Sequence, residues 1–487
     1  MKKYIVLGLA CLPWIASAQH FGQKNHEMHS GVDNKKVINY WETNTPQNIE
    51  IYETIDEVLA ANRTADFGDV LKYKKYQQLQ KKYDLILLGG PMLGDVRADG
   101  ISIWVRTAQP ARVKVVVDNQ GKPLTSKTIS TAVQSDLAGV VAIQGLKPST
   151  TYRYHLVIND QIVVKNEKYQ FTTAPATANS NNTRIAFGSC SHRWGLGHVQ
   201  MFNTIKQRQP AAMFLLGDIV VQDRDNNLGM HRADHLIRDL QTAWSDFACG
   251  VPVYANWDDH DYFGNDKTGI PKGYVDQDRR DVRNVFKNSW VNPYYGENEE
   301  GIYFKTEIGP ATIAMTDNRY FREDSKGVFL GNAQMEWLKS EIKNCKSPFL
   351  VLSCGTMWSD FVSEGKDSWG AINPKGREEI FDLIENSCVS QVILISGDRH
   401  GARGFTIQRN SGFELFEFEA ASLGARVGPP ASKPEWKTQL YGIDGTFAFG
   451  ELTFEGGKKS AKATYRLIDE KGQILFEKEL LHKSSSK

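Results

Sequence analysis

After residue 182 this sequence repeats one arrangement, in which an apolar run typical of a buried strand leads directly into residues that can bind metal. Four such strands, over 184–188, 212–216, 251–255 and 392–396, alternate with helical stretches such as 231–247, and a further apolar strand is predicted over 349–353. Strands that alternate with helices predict an α/β sheet covered by helices on both faces. Ligands of such sheets bind beyond the carboxyl ends of the strands, so we expect the four loops to meet in one site.

The four loops supply a thiol, several carboxylates and at least two imidazoles. Each loop alone has an ordinary explanation, because an Asp after a strand often caps a turn and a buried cysteine often serves as a small apolar side chain. The acidic loop is harder to explain in this way, since three acids in four residues repel one another unless a cation compensates. We therefore interpret the set as a metal site. The loops are GSCSH at 188–192, GD at 217–218, NWDDHD at 256–261 and SGDRH at 396–400.

The amino terminus predicts export. Lys2 and Lys3 precede an apolar run, and Ala16-Ser17-Ala18 matches a signal-peptidase site, so residues 1–18 are predicted to be a signal peptide. The run is too short to span a bilayer, and no later stretch reaches transmembrane length. The expected location is the periplasm or the secreted space, and the sequence does not choose between them.

The charge balance limits the kinds of binding partner to expect, and the number of cysteines limits the possible disulfides. Lys plus Arg number 58 and Asp plus Glu number 57, and removal of Lys2 and Lys3 with the leader leaves one more acid than base. This balance gives no electrostatic case for nucleic acid or an anionic membrane as a partner. Of six cysteines, five remain after loss of Cys11, and an odd number predicts at least one that is not in an internal disulfide. The oligomeric state cannot be inferred.

Three regions follow the leader. Residues 19–83 form an extension with helical spacing. Residues 84–175 contain short β-prone runs between turn residues, which predicts a β-sandwich, and the segment LKPSTTYRY at 146–154 resembles a loop-to-strand segment of fibronectin type III domains. A linker of small polar residues at 174–182 then leads into a catalytic domain predicted over 183–482.

The ordered set GSC, GD, WDDHD and SGDRH, placed after a fibronectin-like region, resembles the PhoD-type alkaline phosphatases of the calcineurin-like metallophosphoesterase superfamily. The resemblance covers about residues 85–450, and WDDHD and SGDRH are its most specific elements. It implies a four-layer α/β/β/α catalytic domain that holds a metal cluster, described for the family as iron with calcium.

The resemblance also implies a role for each matching residue. Cys190 would bind the first metal as a thiolate, and Asp218 would bridge the metals. Asp259 would bind the second metal, and His260 would stabilise the transition state or protonate the leaving group. Asp398 and His400 would serve one metal each. Asp258 is expected to support the site without binding metal.

One position departs from the family pattern. The family commonly has a tyrosine ligand to ferric iron three residues after the GD aspartate, where this chain has Val221, which cannot ligate. Three outcomes stay open: a different metal, reduced activity, or another donor. Calcium, manganese and zinc are therefore candidates beside iron. The candidate donors are Asp223, Asp225 and His192.

The expected chemistry is hydrolysis of a small phosphoester by water, because two adjacent metals neutralise phosphoryl oxygens and lower the pKa of water. Arg399 and Arg193 are candidate phosphate-binding groups, with structural ion pairing as the alternative. No GxSxG sequence supports a serine nucleophile. His231 and His235 are four residues apart without a third ligand nearby, and we interpret them as a helix-surface pair.

These observations predict an exported metal-dependent phosphatase acting on phosphomonoesters, phosphodiesters or both. The main alternative is a metal-binding pseudoenzyme or cell-surface binding module in which Val221 marks lost catalysis. A carbohydrate-binding or adhesion protein is a third hypothesis, supported by the β-sandwich alone.

Overall fold

A computed structural model describes most of the chain. The predicted signal peptide, part of the linker and Cys388 lie outside the described residues, so the structure does not address them. No helix in the described part is long and apolar enough to cross a bilayer. The described residues are 28–481, apart from 120, 177–181, 360–366, 388, 390, 429–430, 434–435 and 457–461.

The helices start where side chains can satisfy the free backbone amides of a first turn. Before the longest amino-terminal helix, the Thr45 hydroxyl accepts a hydrogen bond from the Asn48 amide at 3.1 Å, and Pro46 needs no acceptor at the first helical position. The described helices are α1 (Asn34–Ile38), α2 (Pro46–Leu59), α3 (Phe67–Lys72), α4 (Lys74–Tyr83), α5 (His192–Gly195), α6 (Val199–Gln207), α7 (Leu228–Leu240), α8 (Thr242–Ala248), α9 (Asp259–Tyr262), α10 (Asp276–Ser289), α11 (Asn332–Asn344), α12 (Trp369–Ile372) and α13 (Pro374–Glu385).

The strands fall into an amino-terminal and a later group, divided near residue 176. The described strands are β1 (Leu87–Arg97), β2 (Gly100–Thr107), β3 (Arg112–Val117), β4 (Leu124–Thr125), β5 (Ile129–Ser130), β6 (Ala138–Gln144), β7 (Thr151–Ile158), β8 (Gln161–Val164), β9 (Gln170–Thr172), β10 (Thr183–Gly188), β11 (Ala212–Leu216), β12 (Val253–Asn256), β13 (Phe304–Ile308), β14 (Ala311–Met315), β15 (Phe349–Ser353), β16 (Gln391–Ser396), β17 (Ala402–Gln408), β18 (Glu414–Glu419), β19 (Gln439–Ile443), β20 (Ala448–Glu455), β21 (Lys462–Asp469) and β22 (Ile474–Leu481).

The amino-terminal strands form two antiparallel sheets. One has the order β1-β2-β6, and the other has the order β4-β3-β7-β8, with β5 paired to β3 and β9 paired to β7. Val113, Val115 and Val117 are buried at alternate positions of β3 and share a core with Ile103 of the other sheet, as expected for strands with one buried face. This region precedes the catalytic fold as predicted, and its fibronectin type III character remains a prediction.

The later strands form two large sheets that pack face to face. Their orders are β12-β11-β10-β20-β21-β22 and β13-β14-β15-β16-β18-β17-β19. Phe187 and Phe214 of the first sheet share one core with Val351, Ile393 and Phe418 of the second. Apolar faces of α6, α8 and α10 cover the outer side of the first sheet, and those of α11 and α13 cover the second. The predicted four-layer α/β/β/α fold is therefore confirmed.

The amino-terminal helices pack on the first catalytic layer. Tyr52 and Ile55 of α2 are fully buried and belong to one core with Leu236 and Ile237 of α7. One consequence is a break in the helical stretch expected between residues 231 and 247. Asn44 accepts a hydrogen bond from the Thr242 amide at 3.0 Å, so a new helix begins there.

Candidate metal centre

The predicted loops converge at the carboxyl ends of β10, β11, β12 and β16. The first two are joined directly, since the Cys190 amide donates to the Gly217 carbonyl at 3.1 Å and the His192 amide donates to the Asp218 carbonyl at 2.8 Å. Cys190, Asp218, Asp398 and His400 all have positive φ values, between 56° and 80°. Non-glycine residues seldom adopt this conformation, and its concentration in the ligand loops is typical of functional sites.

Candidate ligand atoms gather in overlapping groups around Asp218. In each group the ligand atoms lie within 4.8 Å of one another, and Asp218 belongs to three of the groups. The six residues that were predicted to bind metal or donate a proton are thus brought together. Arg399, the remaining predicted site residue, is not a member of these groups. The groups are Cys190, Asp218 and His400; Asp218, Asp259 and His260; Asp218, Asp258, Asp259 and Asp398; and Asp259, Asp266 and Asp367.

The residues of the cluster fit bound cations. Asp218 is 1% exposed, and its Oδ1 has no hydrogen-bond partner among the described residues, nor has Oδ2 of Asp258. Burial raises the pKa of Asp218 well above its usual value, the neighbouring carboxylates add to this, and the charge of His260 opposes it. Burial and nearby carboxylates likewise raise the pKa of Asp398. Cations would remove this repulsion; the thiol and imidazole donors suit divalent transition metals, and the group of carboxylates also suits calcium.

His260 is oriented by a carboxylate. Its Nδ1 donates to Asp223 Oδ1 at 2.7 Å, and the Asn265 amide donates to the same oxygen at 2.8 Å. Burial opposes a charge on the imidazole, but Asp218, Asp259 and Asp223 raise the pKa of His260 well above its usual value. Burial would raise the pKa of Asp223, yet hydrogen bonds from His260, Asn265 and Ser30 lower it. The Asp223–His260 pair therefore favours a protonated imidazole, and Nε2 of that imidazole makes no hydrogen bond to Asp223.

The SGDRH loop presents its three functional side chains differently. His400 Nδ1 donates to the Arg426 carbonyl at 3.3 Å, which leaves Nε2 with the lone pair that a metal requires. Burial and the positive charge of Arg426 lower the pKa of His400 to about 3. Arg399 lies 3.4 Å from Asp398 Oδ2, and its side chain is 20% exposed. Arg399 is therefore the member of this loop that remains accessible.

The acidic loop serves two purposes. Asp259 belongs to the ligand groups, whereas Asp261 accepts hydrogen bonds from the amides of Ile219, Val220 and Val221 at 3.2, 3.0 and 3.1 Å. Asp261 thus fixes the loop that carries Asp218. The run of acids could not distinguish a ligand from an anchor, because the distinction depends on amides 40 to 42 residues earlier.

The three substitutes considered for the missing tyrosine differ in availability. Val221 itself is buried and its amide is held by Asp261. Asp223 is bonded to His260, and Asp225 pairs with Lys267. His192 is fully buried, and neither ring nitrogen has a partner among the described residues. Its ring lies between those of Trp194 and His400, with centroid distances of 4.9 and 5.4 Å.

The prediction that two histidines of α7 form a pair on the helix surface was wrong. His231 and His235 are each 2% exposed, so they are not a helix-surface pair. His231 Nε2 donates to the Asp225 carbonyl at 2.8 Å. The error arose because other elements, which the isolated helical pattern does not reveal, cover this face of α7: the ring centroids of His235 and Trp290, the residue after α10, are 6.2 Å apart.

Arg193 has the structural role that was weighed against phosphate binding. Its side chain is fully buried and donates to the carbonyls of Ser30 and Val32 at 3.1 and 2.6 Å. It cannot reach a substrate without leaving these partners. Of the two candidate arginines, Arg399 alone keeps an accessible side chain.

Sequence reasoning missed the site residues that follow β14. Asn318 Nδ2 donates to Asp258 Oδ1 at 2.9 Å, and the buried Arg319 pairs with both Asp258 and Asp367. Their signal was available, since the apolar run ATIAM at 311–315 ends in TDNR at 316–319. That strand was not recognised, and its polar loop was therefore not considered.

Comparisons with known proteins agree with this geometry. A family described as PhoD-like phosphatase matches residues 185–464, and a domain of unknown function, DUF7800, matches residues 84–176. Among solved structures, one described as the structure of PhoD is similar with a TM-score of 0.66 and 18% identity, covering 82% of this chain and 93% of that chain. Purple acid phosphatase PPD1 from yellow lupin (Lupinus luteus) seeds has a TM-score of 0.58 and 16% identity, covering 81% and 74%. Such identities show likeness of fold alone. No curated protein sequence matches the chain.

Proposed function

This chain belongs to the PhoD-like phosphatase family, and on that premise we propose that it is an exported phosphatase that hydrolyses small phosphomonoesters or phosphodiesters by direct attack of water. It is a metallophosphoesterase, and the finer assignment rests mainly on one observation. Asp218 lies in ligand groups with Cys190 and His400 and also with Asp259 and Asp398. A carboxylate shared in this way is what a bridged pair of cations requires.

The ligand set divides the work between two positions. Cys190 and His400 would hold one cation, Asp259 and Asp398 the other, and Asp218 both. When bound, the cations neutralise phosphoryl charge and make water more acidic near neutral pH. The buried loops keep these side chains fixed before substrate arrives, so little reorganisation is needed during the reaction.

His260 is the proposed proton donor. Nδ1 of His260 donates a hydrogen bond to Asp223 at 2.7 Å. Nε2 is therefore left to face the substrate and to donate a proton to the leaving oxygen. Burial opposes a charge on His260, and Asp223, which belongs to none of the ligand groups, is one of the carboxylates that raise its pKa. Arg399, which remains partly exposed beside Asp398, would bind a phosphoryl oxygen. No residue is assigned as a covalent nucleophile.

The test combines metal content with turnover. We expect the mature protein to hold stoichiometric metal and to hydrolyse 4-nitrophenyl phosphate or its bis-ester in a chelator-sensitive manner. Asp259→Ala should lose metal from the second position and lower kcat at least about 100-fold, a typical cost of losing preorganised electrostatic stabilisation. The matched control is Asp160→Ala, which removes a carboxylate that is 65% exposed and paired with Arg112 and Lys114. It should keep both metal and rate.

Two results would contradict the proposal. Stoichiometric metal without turnover of either ester would favour the pseudoenzyme, for which Val221 is the specific observation. Equal effects of Asp259→Ala and Asp160→Ala would mean that the cluster is not the site. Export is tested separately, since a mature protein beginning at Gln19 outside the cytoplasm is the expected product.

A further inference from the structure

The amino-terminal segment, residues 28–48, reaches the back of the metal centre. The guanidinium of Arg193, the residue after His192, donates to the Ser30 and Val32 carbonyls at 3.1 and 2.6 Å. Trp41 of the same segment stacks on His198 with ring centroids 4.4 Å apart. The segment therefore contacts Arg193 and His198, which follow the loop that carries Cys190 and His192.

Asn34 connects this segment to a buried polar cluster. It is 3% exposed, its Nδ2 donates to Asp234 Oδ1 at 2.8 Å, and its Oδ1 accepts from Arg224 at 3.0 Å. Asp234 is fully buried and also accepts from the Gln222 amide at 3.2 Å and from Arg224 Nε at 2.7 Å. Asn34 is thus hydrogen-bonded both to the Asp234 carboxylate and to the Arg224 guanidinium.

The cluster fixes the chain on both sides of Asp223. Gln222 is held through its amide and Arg224 through its side chain, so the residue between them has little freedom. Asp223 itself has a φ of 55° and its amide donates to the His260 carbonyl at 3.2 Å. Its carboxylate receives His260 Nδ1 at 2.7 Å and the Asn265 amide at 2.8 Å.

We propose that Asn34 is a positioning residue of the catalytic centre, which holds Asp223 against His260 from outside the catalytic domain. The inference rests on the proposed function, because it assumes that His260 donates the leaving-group proton. Asn34 acts through Asp234 and Arg224, which fix the chain on either side of Asp223. The amino-terminal segment is then part of the catalytic apparatus and more than a packing element.

Asn48 provides a matched control in the same segment. Its Nδ2 donates to the Leu240 carbonyl at 2.8 Å, at the carboxyl-terminal end of α7, and among the described residues it has no hydrogen bond to the Asp234 cluster. Asn34→Ala and Asn48→Ala therefore both remove an amide that joins the segment to α7. Only the first removes an amide that supports Asp223.

The kinetic experiment compares leaving groups in the full-length, metal-loaded protein. Loss of orientation at a proton donor should slow phenyl phosphate, whose leaving oxygen needs the proton, more than 2,4-dinitrophenyl phosphate, whose leaving oxygen does not. We expect Asn34→Ala to lower kcat for phenyl phosphate about tenfold and for the dinitrophenyl ester less than about twofold, a fraction of the full effect of a general acid. Asn48→Ala should change neither rate.

A spectroscopic measurement of the hydrogen bond between His260 and Asp223 tests the inference without requiring turnover. In the calcium-loaded protein, the hydrogen-bonded Nδ1 proton of His260 should give a downfield proton resonance, assigned by its disappearance in Asp223→Asn. Asn34→Ala should shift or broaden this resonance, and Asn48→Ala should leave it in place.

Different failures have different meanings. If Asn34→Ala slows both esters equally, or if its resonance matches that of the wild type, the segment only stabilises the fold and the inference is overturned. If the wild type hydrolyses neither ester, the proposed function fails, and the resonance alone then tests the contact between the segment and Asp223.

Discussion

Asp261 shows how a single side chain can control a ligand that it does not touch. Its carboxylate accepts three amides from the loop after Asp218 and is 5% exposed. We expect Asp261→Ala to destabilise the protein by about 3 kcal/mol, since buried donors lose charged partners, and to weaken metal binding at least tenfold. Urea unfolding and metal titration measure the two effects.

A carboxylate with the same kind of contacts, far along the sequence, serves as the control. Asp66 accepts the amides of Gly68 and Asp69 at 2.7 and 3.2 Å at the start of α3. Asp66→Ala should cost about 1 kcal/mol, as for other helix caps, and leave metal affinity unchanged. Equal losses of metal affinity in both variants would refute the anchoring role of Asp261.

His231 predicts a pH dependence of stability. Burial lowers its pKa from 6.5 to about 4, with a hydrogen bond to the Asp225 carbonyl opposing the shift. Because the folded pKa is depressed, the unfolded chain takes up the proton first, and stability falls as pH drops from about 6.5 towards 4. Between pH 7 and 5 this single group should cost about 2 kcal/mol.

The variant His231→Gln isolates that contribution, since glutamine cannot titrate. The free energy of unfolding, measured with urea at both pH values, should fall by about 2 kcal/mol less in the variant than in the wild type. A parallel loss in the two proteins would show that His231 is accessible to protons in the folded state.

At the scale of residues, the sequence predicted which residues belong to the site better than it predicted the contacts that those residues make. Cys190, Asp218, Asp259 and His400 could be proposed because each follows an apolar strand, which is a local property. The pairing of His260 with Asp223 and the isolation of the His192 nitrogens depend on contacts between loops. No local pattern encodes such contacts.

At the scale of elements, the junction of β11 and β12 depends on Gly217. Its φ is 101°, and a Cβ there would lie 2.5 Å from Asp258 Cβ and 2.7 Å from the Asp258 amide nitrogen. Gly217→Ala should therefore push the two ligand loops apart, with a loss of about 3 kcal/mol or more and greatly reduced metal binding. Thermal unfolding and metal analysis test this.

Gly412→Ala separates backbone strain from crowding. Gly412 has a φ of 87° and no atom within 4 Å of the added Cβ. It should lose about 1–2 kcal/mol from the left-handed conformation alone and keep its metal. If Gly217→Ala behaves in the same way, close approach of the loops is not what glycine provides there.

The elements that sequence reasoning recovered are those with strong local periodicity. Apolar runs at 349–353 and 392–396 correspond closely to β15 and β16. The short strand β14 was missed, and the stretch 231–247 was taken as one helix, although Asn44 starts a second helix at Thr242. Both errors concern features that other parts of the chain decide.

At the scale of the molecule, the amino-terminal sheets and the catalytic sheets share one core. Leu93 and Tyr154 of the former belong to the same cluster as Phe214 and Tyr254 of the latter. The Tyr154 hydroxyl also donates to the Cys249 carbonyl at 2.8 Å. A continuous core makes separate unfolding of the two regions expensive, because either would expose apolar surface of the other.

We therefore expect one cooperative unfolding transition, and Arg106 provides the means to test it. Arg106 on β2 pairs with Asp239 of α7 at 2.9 Å, and both side chains are 1% exposed. Arg106→Ala leaves a buried carboxylate with less compensation and should lower the free energy of unfolding by about 3 kcal/mol while the single calorimetric transition moves as a whole. Arg112→Ala, which removes an ion pair whose side chains are each 65% exposed, should leave the transition almost unmoved. Two separate transitions, with only the first displaced by Arg106→Ala, would mean that the amino-terminal sheets unfold independently and that the shared core does not couple them.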